Sequence, residues 1–129
     1  MNLRTLARVF GIVFVVIGIL GFVPGITSDG HLLGIFEVDT VHNVIHLLSG
    51  IVALVLSSTD AKARMYFKVF GVVYALVTVL GFVMGGDILG LFHANMADNV
   101  LHLVIAAVAL WAGFGMSSGS SNMNTSGMA

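Results

Sequence analysis

The chain contains no cysteine, a single proline and few charged residues. Without cysteine, it cannot form disulfides or thiolate metal sites. Only 9% of its 129 residues are charged, whereas a soluble domain carries roughly 25%. The net charge of −1 gives no electrostatic basis for binding nucleic acid. Because 58% of the residues are hydrophobic, the composition excludes a soluble enzyme and a disordered chain, and it indicates an integral membrane protein.

Four apolar stretches have about the length that a helix needs to cross a bilayer, which is roughly 20 residues. They cover residues 6–23, 41–56, 66–84 and 97–115. No small-residue cleavage motif follows the first stretch, so we expect it to remain in the protein. The sequence therefore predicts an all-α, integral membrane four-helix bundle.

Basic residues are confined to two places in the chain. Two of them, Arg4 and Arg8, lie at the start of the first stretch. The other three lie between the second and third stretches or at the start of the third: Lys62, Arg64 and Lys68. The positive-inside rule then predicts that both termini are cytoplasmic. Residues 1–115 form the predicted membrane domain. Residues 116–129 are polar, uncharged and rich in Ser and Gly, which predicts a disordered cytoplasmic tail.

The sequence contains the same two-helix unit twice. Residues 7–25 align with 67–85 at 9 of 19 positions, and residues 33–54 align with 89–110 at 10 of 22. Each unit holds an even number of spans, so both units insert with the same orientation. The sequence therefore predicts two tandem, parallel-repeat helical hairpins, the first over 7–54 and the second over 67–110.

Glycines and a short loop motif recur in both units. Gly21 and Gly25 form a small-xxx-small pair that Gly81 and Gly85 repeat. Such pairs bring membrane helices together, either within the bundle or between copies of the chain. Each loop carries Leu-Gly-Ile/Leu-Phe, and we expect Phe36 and Phe92 to anchor these loops at the membrane interface.

Polar side chains cluster near the starts of the second and fourth stretches. The second stretch has His42, Asn43 and His46, and the equivalent positions of the fourth are Asp98, Asn99 and His102. Residues three and four apart share a helix face, and polar groups in hydrocarbon normally face the protein interior. If the two faces meet, they offer a ligand set for Zn²⁺ or Cu²⁺ made of His42, His46, Asp98 and His102. Asn43 and Asn99 would then hydrogen-bond these ligands.

Other interpretations of this cluster remain open. His46 and His102 could be axial ligands of a haem, or the cluster could bind a quinone, a lipid or another small molecule. The cluster could also provide only interhelical hydrogen bonds, each contributing roughly 0.6–2 kcal/mol. With the glycine-rich helices, this last interpretation favours a structural or accessory role in a membrane complex or homo-oligomer. A ligand-binding role is the alternative, and no catalytic motif points to an enzyme.

The segment VHNVIHLLSG, residues 41–50, follows Leu-Gly-Ile-Phe and resembles the bacterial four-helix membrane family catalogued as domain of unknown function 4383. The resemblance covers roughly residues 5–115. Its most specific feature is the H-N-x-x-H pattern, and the second unit departs from it at Asp98. The resemblance implies a four-helix fold and a multi-pass location in the bacterial inner membrane. It implies no established activity.

Overall fold

Four long helices make up most of the computed structural model, which describes residues 1–117. The helices are α1 (Leu3–Leu20), α2 (Thr40–Val55), α3 (Asp60–Met84) and α4 (Met96–Leu110). A 3₁₀ turn, Leu56–Ser58, extends α2, and a π-helical turn, Trp111–Gly115, extends α4. All four segments are long and apolar enough to cross a membrane, which confirms a mostly helical fold with four candidate spans. The predicted disordered tail lies outside the described residues from 118 onward.

Capping side chains explain where the helices begin. Asn2 accepts a hydrogen bond from the backbone N–H of Thr5, so α1 begins at Leu3, before the predicted start of the apolar stretch. Thr59 caps α3 in the same way, and this helix begins six residues before the predicted start at residue 66. Hydropathy therefore located the spans, whereas side-chain caps set their first residues.

Within each hairpin the two helices approach closely through glycines. A Cβ on Gly50 of α2 would lie 2.7 Å from the carbonyl oxygen of Gly11 on α1, and a Cβ on Gly71 of α3 would lie 3.0 Å from Leu110 on α4. Gly25 and Gly85 instead have positive φ angles, and a Cβ added to either would have no neighbour within 4 Å. They serve the chain reversal after α1 and α3, so only Gly21 and Gly81 of the predicted small-xxx-small pairs pack against a neighbouring helix.

The bundle has a largely apolar outside and an inside of alanines, aromatic side chains and polar residues. Large aliphatic side chains such as Ile12, Val72 and Leu103 are exposed, as expected of lipid-facing residues. Alanines fill much of the interior near the start of α1. The buried polar residues are His42, Asn43, His46, Ser49, Ser57, Thr78, Asp98, Asn99 and His102. This distribution fits a protein in lipid, where polar groups must find partners inside the structure.

The two connections between paired helices form small antiparallel sheets at one end of the bundle, which we call the loop end (residues 21–39 and 85–95). The first holds β1 (Thr27–Ser28), β2 (His31–Leu32) and β3 (Phe36–Glu37), and the second holds β4 (Asp87–Ile88) and β5 (Phe92–His93). The Leu-Gly of the recurrent motif is the turn, because Leu33 and Leu89 both have a φ of 55°. Phe92 is buried in the bundle rather than anchored in the membrane interface.

Candidate functional site

Three imidazoles converge where α2 and α4 meet the loop end. His42 and His46 lie one turn apart on α2, and their ring centroids are 4.5 Å apart. His102 on α4 has its ring 5.6 Å from that of His42 and 6.1 Å from that of His46. Each side chain is at most 4% exposed. One nitrogen of each ring lies within 4.8 Å of the other two, which is an arrangement that could hold a metal ion.

Capping residues hold the two hairpins in the register that brings these rings together. Asp39 caps α2 by accepting from the backbone N–H of His42 at 2.8 Å, and its second oxygen accepts from the N–H of His93, also at 2.8 Å. Asn95 caps α4 and donates from its side-chain amide to the carbonyl oxygen of Ile35 at 2.8 Å. Each cap thus joins its own helix to the loop of the other hairpin.

The hydrogen bond of His42 fixes which of its nitrogens is available to a ligand. Its Nδ1 lies 2.9 Å from the backbone carbonyl of His93. A carbonyl oxygen only accepts, so Nδ1 carries the proton and the Nε2 of the neutral ring keeps its lone pair. That Nε2 is buried and has no partner among residues 1–117. Histidines that bind metals commonly donate their other N–H to a carbonyl in this way.

The other two rings also present nitrogens without partners. The Nδ1 atoms of His46 and His102 are buried, and neither has a hydrogen-bond partner in the described chain. An unsatisfied buried polar atom costs roughly 1–3 kcal/mol, so three in one place call for a common partner. Tetrahedral zinc with Zn–N bonds of about 2.0–2.1 Å needs nitrogens about 3.3 Å apart. The separations between these nitrogens, all within 4.8 Å, would therefore shorten by at most about 1.5 Å on a bound ion.

Asp98, the fourth predicted metal ligand, does not belong to this group. Its Oδ2 accepts from the backbone N–H of Asn95 at 2.9 Å, which completes a capping box at the start of α4. It also lies near the backbone of Glu37. Asp98 and His46 line a separate cavity of about 260 Å³ beside α1. The carboxylate is directed toward the start of its own helix and the first loop, because both places offer backbone N–H donors.

The two asparagines that were predicted to hydrogen-bond the metal ligands lie instead against glycines of the neighbouring helices. A Cβ on Gly21 would coincide with the amide oxygen of Asn43, and a Cβ on Gly81 would coincide with that of Asn99. Both amide oxygens are buried and lack a conventional hydrogen-bond partner within residues 1–117. The same contact in both hairpins fits a weak Cα–H···O interaction between paired helices. Asn43 and Asn99 therefore contact the neighbouring helix of their own hairpin.

A cavity of about 160 Å³ adjoins the three imidazoles and opens between α2 and α3. Ser49 and Tyr74 both line it, and their hydroxyl oxygens are 3.1 Å apart. Tyr66 donates from its hydroxyl to the backbone carbonyl of Ser49 at 3.0 Å. A cavity of ~150 Å³ holds one benzene ring, so the four-pyrrole ring of a haem is too large for this space.

Sequence reasoning missed Ser49 and Tyr74, although the repeat carried a signal for both. In the other unit their equivalents are Ile105 and Phe14. Hydroxyl groups thus replace apolar groups at two positions that face each other between α2 and α3. A search for the polar mismatches between the two units, rather than for shared polar residues, would have found them.

Comparison with known proteins identifies the family of this chain. No curated protein and no solved structure matches the chain. The family model described as "Domain of unknown function (DUF4383)" matches residues 4–115, which include the four spans and the whole histidine cluster. This chain is a member of the DUF4383 family.

Proposed function

We propose that this membrane protein binds a divalent transition-metal ion, such as Zn²⁺ or Cu²⁺, through His42, His46 and His102. The observation that carries the proposal is that each of these three imidazoles brings a nitrogen within 4.8 Å of the other two, while the hydrogen bond from His42 Nδ1 to the His93 carbonyl leaves the buried Nε2 of His42 without a partner in the described chain. Imidazole suits zinc and copper, and three protein ligands leave one coordination position for water or a small ligand.

Acidic groups at the loop end offset part of the charge of such an ion. Asp39 and Glu37 are close enough to His42 to interact with it electrostatically. Three neutral imidazoles alone would leave the charge of a divalent ion uncompensated in a largely apolar interior, which is costly. The ion would therefore lie near the acidic loop end, and not near the centre of the spans.

The first experiment is to measure metal per chain by elemental mass spectrometry, after purification in mild detergent and again after incubation with Zn²⁺ or Cu²⁺. We expect close to one ion per wild-type chain and much less in His46→Ala and His102→Ala. His31→Ala is the matched control, because His31 lies in the first loop and contacts its own turn. It should keep full metal content.

A folded wild-type protein that stays substoichiometric after incubation with both ions would contradict the proposal. His102→Gln provides a second variant, since it keeps a polar side chain in the interior if His102→Ala does not fold. Retention of one ion per chain by this variant would also remove His102 from the proposed ligand set.

The second candidate is the structural or accessory role, and one observation favours it. Ring contacts of the imidazoles cross between the hairpins, with His42 lying 5.0 Å from Phe92 and 5.6 Å from His102, centroid to centroid. In this role the cluster joins the hairpins, and the chain assembles with itself or with other membrane proteins. It predicts a defined oligomer or co-purifying partner in mild detergent, and no stoichiometric metal.

We also propose that both termini face the cytoplasm of a bacterial cell, that the two hairpins are tandem repeats, and that the chain binds rather than catalyses. The orientation is supported by the basic end of the bundle, where Arg4 lies 3.4 Å from Asp60 and Arg64 donates to the carbonyl of Gly113. The basic side chains are thus collected opposite the loop end, as the positive-inside rule requires of a cytoplasmic face.

A further inference from the structure

Two clefts lie between the hairpins, one between α2 and α3 and the other between α1 and α4. The α2/α3 cleft adjoins the histidines, and the α1/α4 cleft lies on the opposite side, where it contains Val13 and Phe14. Each has a volume of about 160 Å³. Four positions of α1 in one cleft match four positions of α3 in the other at an offset of 60 residues: Phe10, Val13, Phe14 and Ile17 match Phe70, Val73, Tyr74 and Val77.

Hydroxyl groups distinguish these clefts. Ser49 and Tyr74 line the α2/α3 cleft, whereas Ile105 and Phe14 occupy the equivalent positions of the α1/α4 cleft. The hydrogen bond between Ser49 and Tyr74 uses one of their two hydroxyl protons. No acceptor for the other proton is found among residues 1–117. A buried donor without an acceptor is unfavourable, so this cleft is suited to a ligand that brings an oxygen acceptor.

The size and walls of the cleft define the rest of that ligand. Its volume is close to that of an engineered protein cavity, ~150 Å³, that binds benzene. Apart from the hydroxyls and the imidazoles, its walls are aliphatic and aromatic, including Ile45, Phe70 and Val77. It opens between two helices whose outer faces carry exposed aliphatic residues, so a ligand would enter from the lipid phase.

We propose that the α2/α3 cleft binds a single six-membered ring bearing a carbonyl oxygen, the chemical class of quinone headgroups, and that the Ser49–Tyr74 hydroxyl pair donates to that oxygen. The ring packs against the aliphatic wall. The α1/α4 cleft has no hydroxyl group at the equivalent positions, so it does not favour a ring with a carbonyl oxygen over an apolar one. This proposal depends on the hydroxyl pair and the cleft, whereas the metal proposal depends on the imidazole nitrogens.

The test uses the full chain in lipid nanodiscs and 1,4-benzoquinone as the probe, because a chain without cysteine has no thiol to add to it. Binding is followed by saturation-transfer NMR, with empty nanodiscs as the reference for partition into lipid. p-Xylene has methyl groups in place of both oxygens and should bind more weakly. Ser49→Ala combined with Tyr74→Phe removes both hydroxyl groups, either of which alone could still donate, and should weaken benzoquinone binding about 2- to 12-fold, as expected for one hydrogen bond.

Matched variants locate the binding. Val73 and Val13 are equivalent, half-exposed positions, one in each cleft. Val73→Phe should abolish saturable binding by filling the α2/α3 cleft, and Val13→Phe should leave it unchanged. If both valine substitutions weaken binding equally, or if the variant without both hydroxyl groups binds benzoquinone as tightly as the wild type, the proposal is wrong. Should Val73→Phe not fold, the variant without both hydroxyl groups and p-xylene still decide the question, and metal content measured on the same samples tests the metal proposal separately.

Discussion

In the first hairpin, α1 meets α2 where Gly21 contacts the amide of Asn43. In the second, α3 meets α4 where Gly81 contacts the amide of Asn99. The hairpins differ at the third residue of their second helices, which is His42 in one and Asp98 in the other. His42 presents a free nitrogen to the cluster, whereas Asp98 completes a helix cap.

This comparison separates residues that build the bundle from residues that make the site. Contacts that occur in both hairpins hold paired helices together and cap their ends. Three departures gather at one place, beside α2 and α3: His42, Ser49 and Tyr74. The positions at which the hairpins share a contact serve the packing of the bundle, and the positions at which they differ are available for a specific function.

The largest effect is expected from substitutions in the glycine–asparagine contact that both hairpins share. Gly21→Ala and Gly81→Ala should each destabilise the bundle by about 1–3 kcal/mol, because the added methyl overlaps the amide of Asn43 or Asn99. Unfolding in mixed detergent micelles measures the change. Adding Asn43→Ala to Gly21→Ala, or Asn99→Ala to Gly81→Ala, should restore part of the loss. Independent, additive losses would contradict the contact.

An intermediate effect distinguishes the two third-position residues. Asp98→Ala should cost about 0.5–2 kcal/mol of stability through the lost cap and leave metal content unchanged, whereas His42→Ala should abolish metal binding. Asp98→Asn is the control, because an amide oxygen still accepts from the backbone N–H of Asn95. Loss of metal in a folded Asp98→Asn protein would place Asp98 among the ligands after all.

The smallest effects are expected at the basic end, where equivalent arginines have different environments. Arg4 forms a partly exposed ion pair with Asp60, and Arg4→Ala should change stability by less than about 1 kcal/mol. Arg64 donates to the partly buried carbonyl of Gly113 at 3.1 Å, so Arg64→Ala should cost more. The difference is measured by unfolding at low and high salt. A larger loss for Arg4→Ala would reverse this ranking.

Much of the fold could be predicted because hydropathy locates membrane spans and because the repeat aligns glycine, asparagine and histidine together. The convergence of His42, His46 and His102 was also accessible, since polar faces in lipid turn inward. Asp98 was predicted as a ligand because residue type alone cannot tell a ligand carboxylate from one that caps its own helix, and the structure places it in such a cap. The roles of Asn43 and Asn99 depended on the distance between paired helices, which a sequence does not provide.

The crossed caps at the loop end have a consequence for assembly in the membrane. Asp39 uses one oxygen on its own helix and the other on His93, and Asn95 reaches back to Ile35. A chain that has inserted only its first hairpin therefore lacks the donor for one oxygen of Asp39, the acceptor for His42 and the third imidazole. The histidine site is complete only after the second hairpin has joined the first, so a half-inserted chain offers no three-histidine site to an ion.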